Sequence, residues 1–178
     1  MDKCILEVFN GLNLTDRQKK IFADVRVHEL LASTKKRTLT VKTVCNHIVE
    51  YREVIVLRNK LQDLFKDKDF KIIIEESFNL SDTYTPEIFV KEYKQSIYDN
   101  IKDISVVDFS ILESSDVKVK DSQIEIQCEN TKLNCLKVEE LSKAIEKIIR
   151  DKSGFDMSVK VEAVKEPVFI DRKPQTAE

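Results

Sequence analysis

Apolar positions along this chain switch repeatedly between a helical and a strand period, and the switches predict its elements. Cys4, Ile5, Val8, Phe9 and Leu12 fall on one side of a helix over residues 2–12, which Gly11 and Asn13 end. Thr15-Asp16-Arg17-Gln18 fits a capping box that opens a second short helix, with Gln18 reaching back to the Thr15 amide. Residues 24–33 and 37–45 read as a hairpin. Val25 and Val27 alternate with Arg26 and His28, and Leu39 and Val41 alternate with Thr40 and Lys42. Its turn, Ser33-Thr34-Lys35-Lys36, lacks the Asn-Gly or Asp-Gly pair that fixes a two-residue hairpin, so its geometry stays open. Val54, Leu57, Leu61 and Leu64 mark a helix over 49–65, with Arg58, Lys60 and Asp63 outside. Phe70, Ile72 and Ile74 then alternate as a strand.

The second half runs through the same order. Residues 79–86 form a linker, and Thr85-Pro86 supplies a cap and a first-turn proline for a helix over 86–101 that carries Phe89, Tyr93, Ile97 and Ile101. A short helix follows around 104–113. Val117 and Val119 form one strand, Ile124 and Ile126 its partner, Val138, Leu141, Ile145 and Ile148 a helix face, and Phe155, Met157, Val159 and Val161 a final strand. Leu39 to Ile124 and Phe70 to Phe155 are both 85 positions apart, while Leu57 to Leu141 and Leu61 to Ile145 are 84 apart. These spacings predict an α+β chain of two tandem units, each helix, helix, strand, strand, helix, strand, over 1–79 and 80–165. The tail 166–178 holds two of the three prolines and reads as a linker toward further domains.

Composition sharpens this picture in one respect. The net charge is -2, but residues 1–60 carry +5 and residues 61–178 carry -7. Lys35, Lys36 and Arg37 at the hairpin tip, with Arg17, Lys19 and Lys20, are the candidate contact residues for phosphate or an acidic partner. A charged turn also discourages edge-to-edge aggregation, and no stacking aromatics accompany the cluster.

Other chemistry is thin. With only Gly11 and Gly154 present, a P-loop and a dinucleotide fingerprint are excluded. Cys45-Asn46-His47 is the one close Cys/His pair, and a closed zinc site needs two more ligands. His28 and His47 sit in no nucleophile motif. Glu75 and Glu76 point to opposite strand faces, and Glu139 and Glu140 are expected in the first turn of a helix. No catalytic, metal or cofactor residue is therefore assigned. Four cysteines without a Cys-x-x-Cys pair, and no early apolar run, predict a cytoplasmic protein with reduced thiols and no membrane partner or small-molecule substrate.

Three stretches resemble a known family. Ala23-Asp24-Val25-Arg26-Val27, Arg37-Thr38-Leu39-Thr40-Val41 and Leu57-Arg58-Asn59-Lys60-Leu61-Gln62-Asp63-Leu64-Phe65 look like the first N-terminal domain of the PolC-type DNA polymerase III alpha subunit. Glu92-Tyr93, Gln123-Ile124-Glu125-Ile126, Glu129-Asn130 and Gly154-Phe155 are similar to its second N-terminal domain, so the resemblance covers roughly residues 3–165. It implies KH-like or tau-C-terminal-like modules that are not themselves catalytic. They would belong to a replicative DNA polymerase with 3'-5' exonuclease, whose catalytic aspartates lie in later parts. It implies docking to replisome proteins, plausibly the clamp-loader tau subunit. The Gly-x-x-Gly loop through which a KH domain holds nucleic acid is absent. DNA contact through the basic hairpin tip is the alternative expectation.

Overall fold

The computed structural model describes residues 3–120 and 122–166. The first half contains β1 (Lys3–Cys4), α1 (Ile5–Val8), α2 (Asp16–Phe22), β2 (Arg26–Ser33), β3 (Thr38–Cys45), α3 (Tyr51–Leu64), a 3-10 turn (Lys66–Lys68) and β4 (Lys71–Phe78). The second contains α4 (Pro86–Ile104), α5 (Val106–Glu113), β5 (Asp116–Lys120), β6 (Gln123–Glu129), α6 (Lys132–Ser153) and β7 (Ser158–Lys165). The strands form two sheets, ordered β1-β2-β3-β4 and β5-β6-β7. In each, a hairpin is followed by a helix that crosses over to a parallel strand: β4 runs parallel to β3, and β7 to β6. The α+β class and the element order are those the hydrophobic pattern predicts.

Local signals account for most boundaries. The Thr15 side chain accepts the Gln18 amide while Gln18 reaches back to the Thr15 amide, the reciprocal cap expected. Replacing Thr15 by Ala removes one arm of it and is expected to lower stability by about 1 kcal/mol, read from urea denaturation. Thr85 caps α4 ahead of Pro86, and Gly154, at φ +73, closes α6 in the left-handed conformation that glycine takes without strain.

The structure corrects several expectations. The helix over 2–12 is a single turn, Ile5–Val8, because Lys3 and Cys4 pair with Val27 and Arg26 as a strand. Thr131 caps α6 and the helix begins at Lys132, so Glu139 and Glu140 lie beyond its first turn, ion-paired to Lys143 and Lys137. The last strand begins at Ser158, leaving Phe155 to pack against Phe89 with ring centroids 6.0 Å apart.

Pairing register also corrects the repeat. Leu39 pairs with Ile72, and Ile124 with Val159. Ile72 and Val159 are 87 positions apart, so Phe70 and Phe155 are not equivalent. Register instead exposes a shared device. Gln62 on α3 accepts the Ile72 amide at 3.0 Å and donates to the Phe70 carbonyl, while Glu146 on α6 accepts the Val159 amide at 2.9 Å. Ser142 donates to the Val159 carbonyl. Gln62 and Glu146 are 84 positions apart, the spacing of the two helices. Each crossover helix thus satisfies one outward-facing amide of the outer strand it leads to.

One continuous cluster of buried side chains joins the two sheets. Phe89 sits at its centre, with no exposed surface, against Phe78 at 6.3 Å and Tyr93 at 5.1 Å. Polar contacts tie α3 to α4. Arg52 pairs with Asp99 at 2.7 Å, Arg58 with Asp103 at 3.2 Å, and Tyr51 donates to Asp103 at 2.8 Å. Chiefly that hydroxyl holds the Asp103 carboxyl below its usual range. Among the described residues no helix is long and apolar enough to cross a membrane.

Candidate partner-binding surfaces

The six basic residues singled out above do not converge. Lys35, Lys36 and Arg37 lie at the hairpin tip, beyond the last residue of β2, whereas α2, with Arg17, Lys19 and Lys20, leads into the first residue of β2. Eight strand residues at about 3.3 Å each hold those ends roughly 26 Å apart. Arg17 is paired with Glu53 in the first turn of α3 at 3.1 Å, and Lys19 with Asp16 at 3.7 Å. The tip gains different company. Arg37, in the left-handed region at φ 48, is paired with Asp69, itself at φ 55, and its carbonyl accepts the Lys71 amide at 2.7 Å. The 3-10 turn brings Lys66 and Lys68 to the same end of the sheet. Sequence reasoning missed these two because they sit beyond the helix that separates them from the tip.

Reactive groups remain scattered. Cys45 Sγ lies 3.1 Å from His47 Nδ1, and burial pushes its thiol pKa up, which keeps it protonated at neutral pH. Among the described residues no group of three or more His, Cys, Asp or Glu is placed to hold a metal ion. Of the two glutamates on β4, Glu75 faces solvent and Glu76 is buried. Lys152 of α6 reaches Glu76 with Nζ 2.7 Å from Oε1, at an angle outside hydrogen-bonding range, so charge holds the pair. Burial first, then the Glu76 charge, raises the pKa of the Tyr93 hydroxyl. This cluster lies between the sheets and serves the fold.

Two surfaces are unusually apolar. The first is built by the N-terminal turns of α5 and α6. Ile104 is 67% exposed, Val106 66%, Leu133 53% and Leu136 81%, with Val107 beside them. Val106, Val107 and Leu133 line a shallow depression of about 370 Å³ together with Thr131 and Asn134. It arises because Ser105 ends α4 and caps α5 at once, turning Val106 and Val107 outward, while Thr131 starts α6 with Leu133 and Leu136 on its outer side. The exposed Cys135 lies with Leu136 on a second depression of about 450 Å³, which shares Thr131 with the first.

The second is a groove of about 330 Å³ between α4 and β5. Ile124, Ile126 and Ile145 form its floor, Val90 and Ile97 one wall, and Val117 and Val119 the other. It stays open because α6 packs chiefly on β7, while α4 makes only a small contact with β5. Lys91 and Lys94 stand on its helical lip, with Lys94 5.6 Å from the Tyr98 ring centre. A larger cleft of about 760 Å³ beside β4 is lined by charges already paired, Lys147 with Asp151 and Lys42 with Glu29.

No protein-family model matches this chain, and no curated protein is significantly similar to it.

Proposed function

We propose that the chain is a non-catalytic protein-docking module of a PolC-type replicative DNA polymerase, and that it holds the clamp-loader tau subunit. The observation that carries docking is the apolar patch of Ile104, Val106, Val107, Leu133 and Leu136. Aliphatic side chains of that size, grouped and facing water, mark protein interaction surfaces, and nothing among the described residues covers them. The replicase assignment rests on the stretches quoted above, such as Leu57–Phe65 and Gln123–Ile126. A cytoplasmic location goes with it.

Titrating purified tau against the chain tests the reading. A saturable complex is expected, and Leu136→Asp is expected to weaken it about thirtyfold, the effect of losing a central apolar anchor. Leu136 is 81% exposed, so the variant leaves the core alone. Absence of a complex refutes the tau assignment, and equal affinity for the variant refutes the patch.

A second reading is favoured by the tip. Lys35, Lys36, Arg37, Lys66 and Lys68 gather at one end of the first sheet, against Asp67 and Asp69. DNA held there would show salt-sensitive affinity, and neutralising Lys35, Lys36 and Arg37 together would reduce the salt slope by about 2–3. A slope that does not change removes this reading.

A further inference from the structure

We infer that the open edge of β5, with the groove beside it, accepts an extended acidic peptide as an added strand. This goes beyond the docking patch, which lies at the N-terminal turns of α5 and α6. The argument starts from topology. β2 and β5 hold the same place in their sheets, each being the first strand of the hairpin that precedes the crossover helix. The outer edge of β2 is partly occupied by β1, with Lys3 opposite Val27 and Cys4 opposite Arg26. Among the described residues the outer edge of β5 has no strand upon it. Within those residues the chain thus adds a strand at one of two equivalent edges and none at the other.

The vacant edge has the features that select an occupant. Its backbone donors and acceptors can pair with any extended peptide, and pockets for alternate side chains supply the specificity. Val117 and Val119 point into the groove, so a strand laid beside β5 would set every second side chain next to these valines, on the side of the sheet where α4 carries Val90 and Ile97. The side chains between would face the opposite side, where β5 presents Asp116, Lys118 and Lys120, with Glu125 of β6 across from Lys118. Lys91 and Lys94 border the groove on α4. Lys91, Lys118 and Lys120 make no ion pair among the described residues. An occupant with apolar residues alternating with glutamate or aspartate satisfies both faces.

The experiment uses the intact chain and three synthetic peptides with blocked termini. The first alternates glutamate with valine or isoleucine over seven residues. The second has the same composition with acidic and apolar residues in separate blocks. The third is the first with alternate backbone amides N-methylated on the edge that would face β5, prepared in both registers. Backbone amide shifts are followed by NMR. The alternating peptide is expected to bind, to shift Asp116–Lys120 and the Val90–Ile97 face of α4, and to weaken several-fold between about 50 and 500 mM salt. Block order and N-methylation in one register are each expected to weaken it about tenfold, through lost side-chain register and lost backbone hydrogen bonds. No binding at millimolar peptide, shifts confined to other surfaces, or indifference to N-methylation in both registers would each overturn strand addition. The last outcome would mark the groove as a pocket for apolar groups alone. Because the protein is never altered, loss of binding cannot come from misfolding. The tau titration is a separate measurement, so either proposal can fail while the other stands.

Discussion

Replacing Lys152 by Met is expected to destabilise the fold by about 3–5 kcal/mol, the cost of leaving a buried charge without its partner. Glu76 and Lys152 have side chains only 6% and 12% exposed, and they come from β4 of the first sheet and from α6, the crossover helix of the second. With the ammonium gone, Glu76 keeps no countercharge in a site walled by Tyr51 and Tyr93. The double variant Glu76→Leu, Lys152→Met is expected to recover most of the loss, since apolar replacement of a whole buried pair is often neutral. Urea denaturation of the two single variants and the double variant measures the coupling. Single-variant losses below about 1 kcal/mol, the range of an exposed pair, would show that water reaches the site.

Phe89→Ala is expected to cost about as much, 3–5 kcal/mol, by a different mechanism. Phe89 is fully buried and touches Phe78 of the first sheet, Tyr93 of its own helix and Phe155 from the connection between α6 and β7. Removing the ring opens a cavity where the two sheets share their core. Because that core is continuous, the protein and this variant are both expected to unfold in one transition, followed by circular dichroism and tyrosine fluorescence together. Two separated transitions, with the loss confined to one of them, would contradict a shared core.

Much of this architecture is legible in the chain. Thr15 with Gln18, Thr85 with Pro86, and the spacing of Leu57 and Leu61 or Phe89, Tyr93 and Ile97 each place a helix through forces acting within a few residues. The alternation in Leu39–Val41 and Ile124–Ile126 places the strands in the same way. Features that depend on distant partners are not legible. Cys4 fits a helical period, yet pairing with Arg26 puts it in a strand. Glu76 looks like any strand glutamate until Lys152 meets it. Arg17 and Lys35 are both basic, but only the length of β2 shows that they stand apart.

The surfaces divide along the same line. The basic tip is a local run and can be read directly. The patch needs the first turns of α5 and α6 side by side. The groove needs α4 to lie over β5 without closing on it. An apolar residue counts as a docking candidate only once its neighbours are known. Leu136 lies on a helix in which Leu141 and Ile145 are buried and Val138 is half-buried, and nothing in its own sequence context reveals that it faces water.

Cys135 offers the most direct test of docking through the patch. It is exposed next to Leu136 at the margin of the patch, whereas Cys4, Cys45 and Cys128 are buried, so a thiol reagent added to the folded chain reports on this one position. Alkylation rates would be measured with and without saturating tau, complex formation being checked in the same samples. The docking account predicts that bound tau slows alkylation of Cys135 about tenfold or more, as burial of the thiol requires. An unchanged rate in a sample where the complex has formed would contradict it.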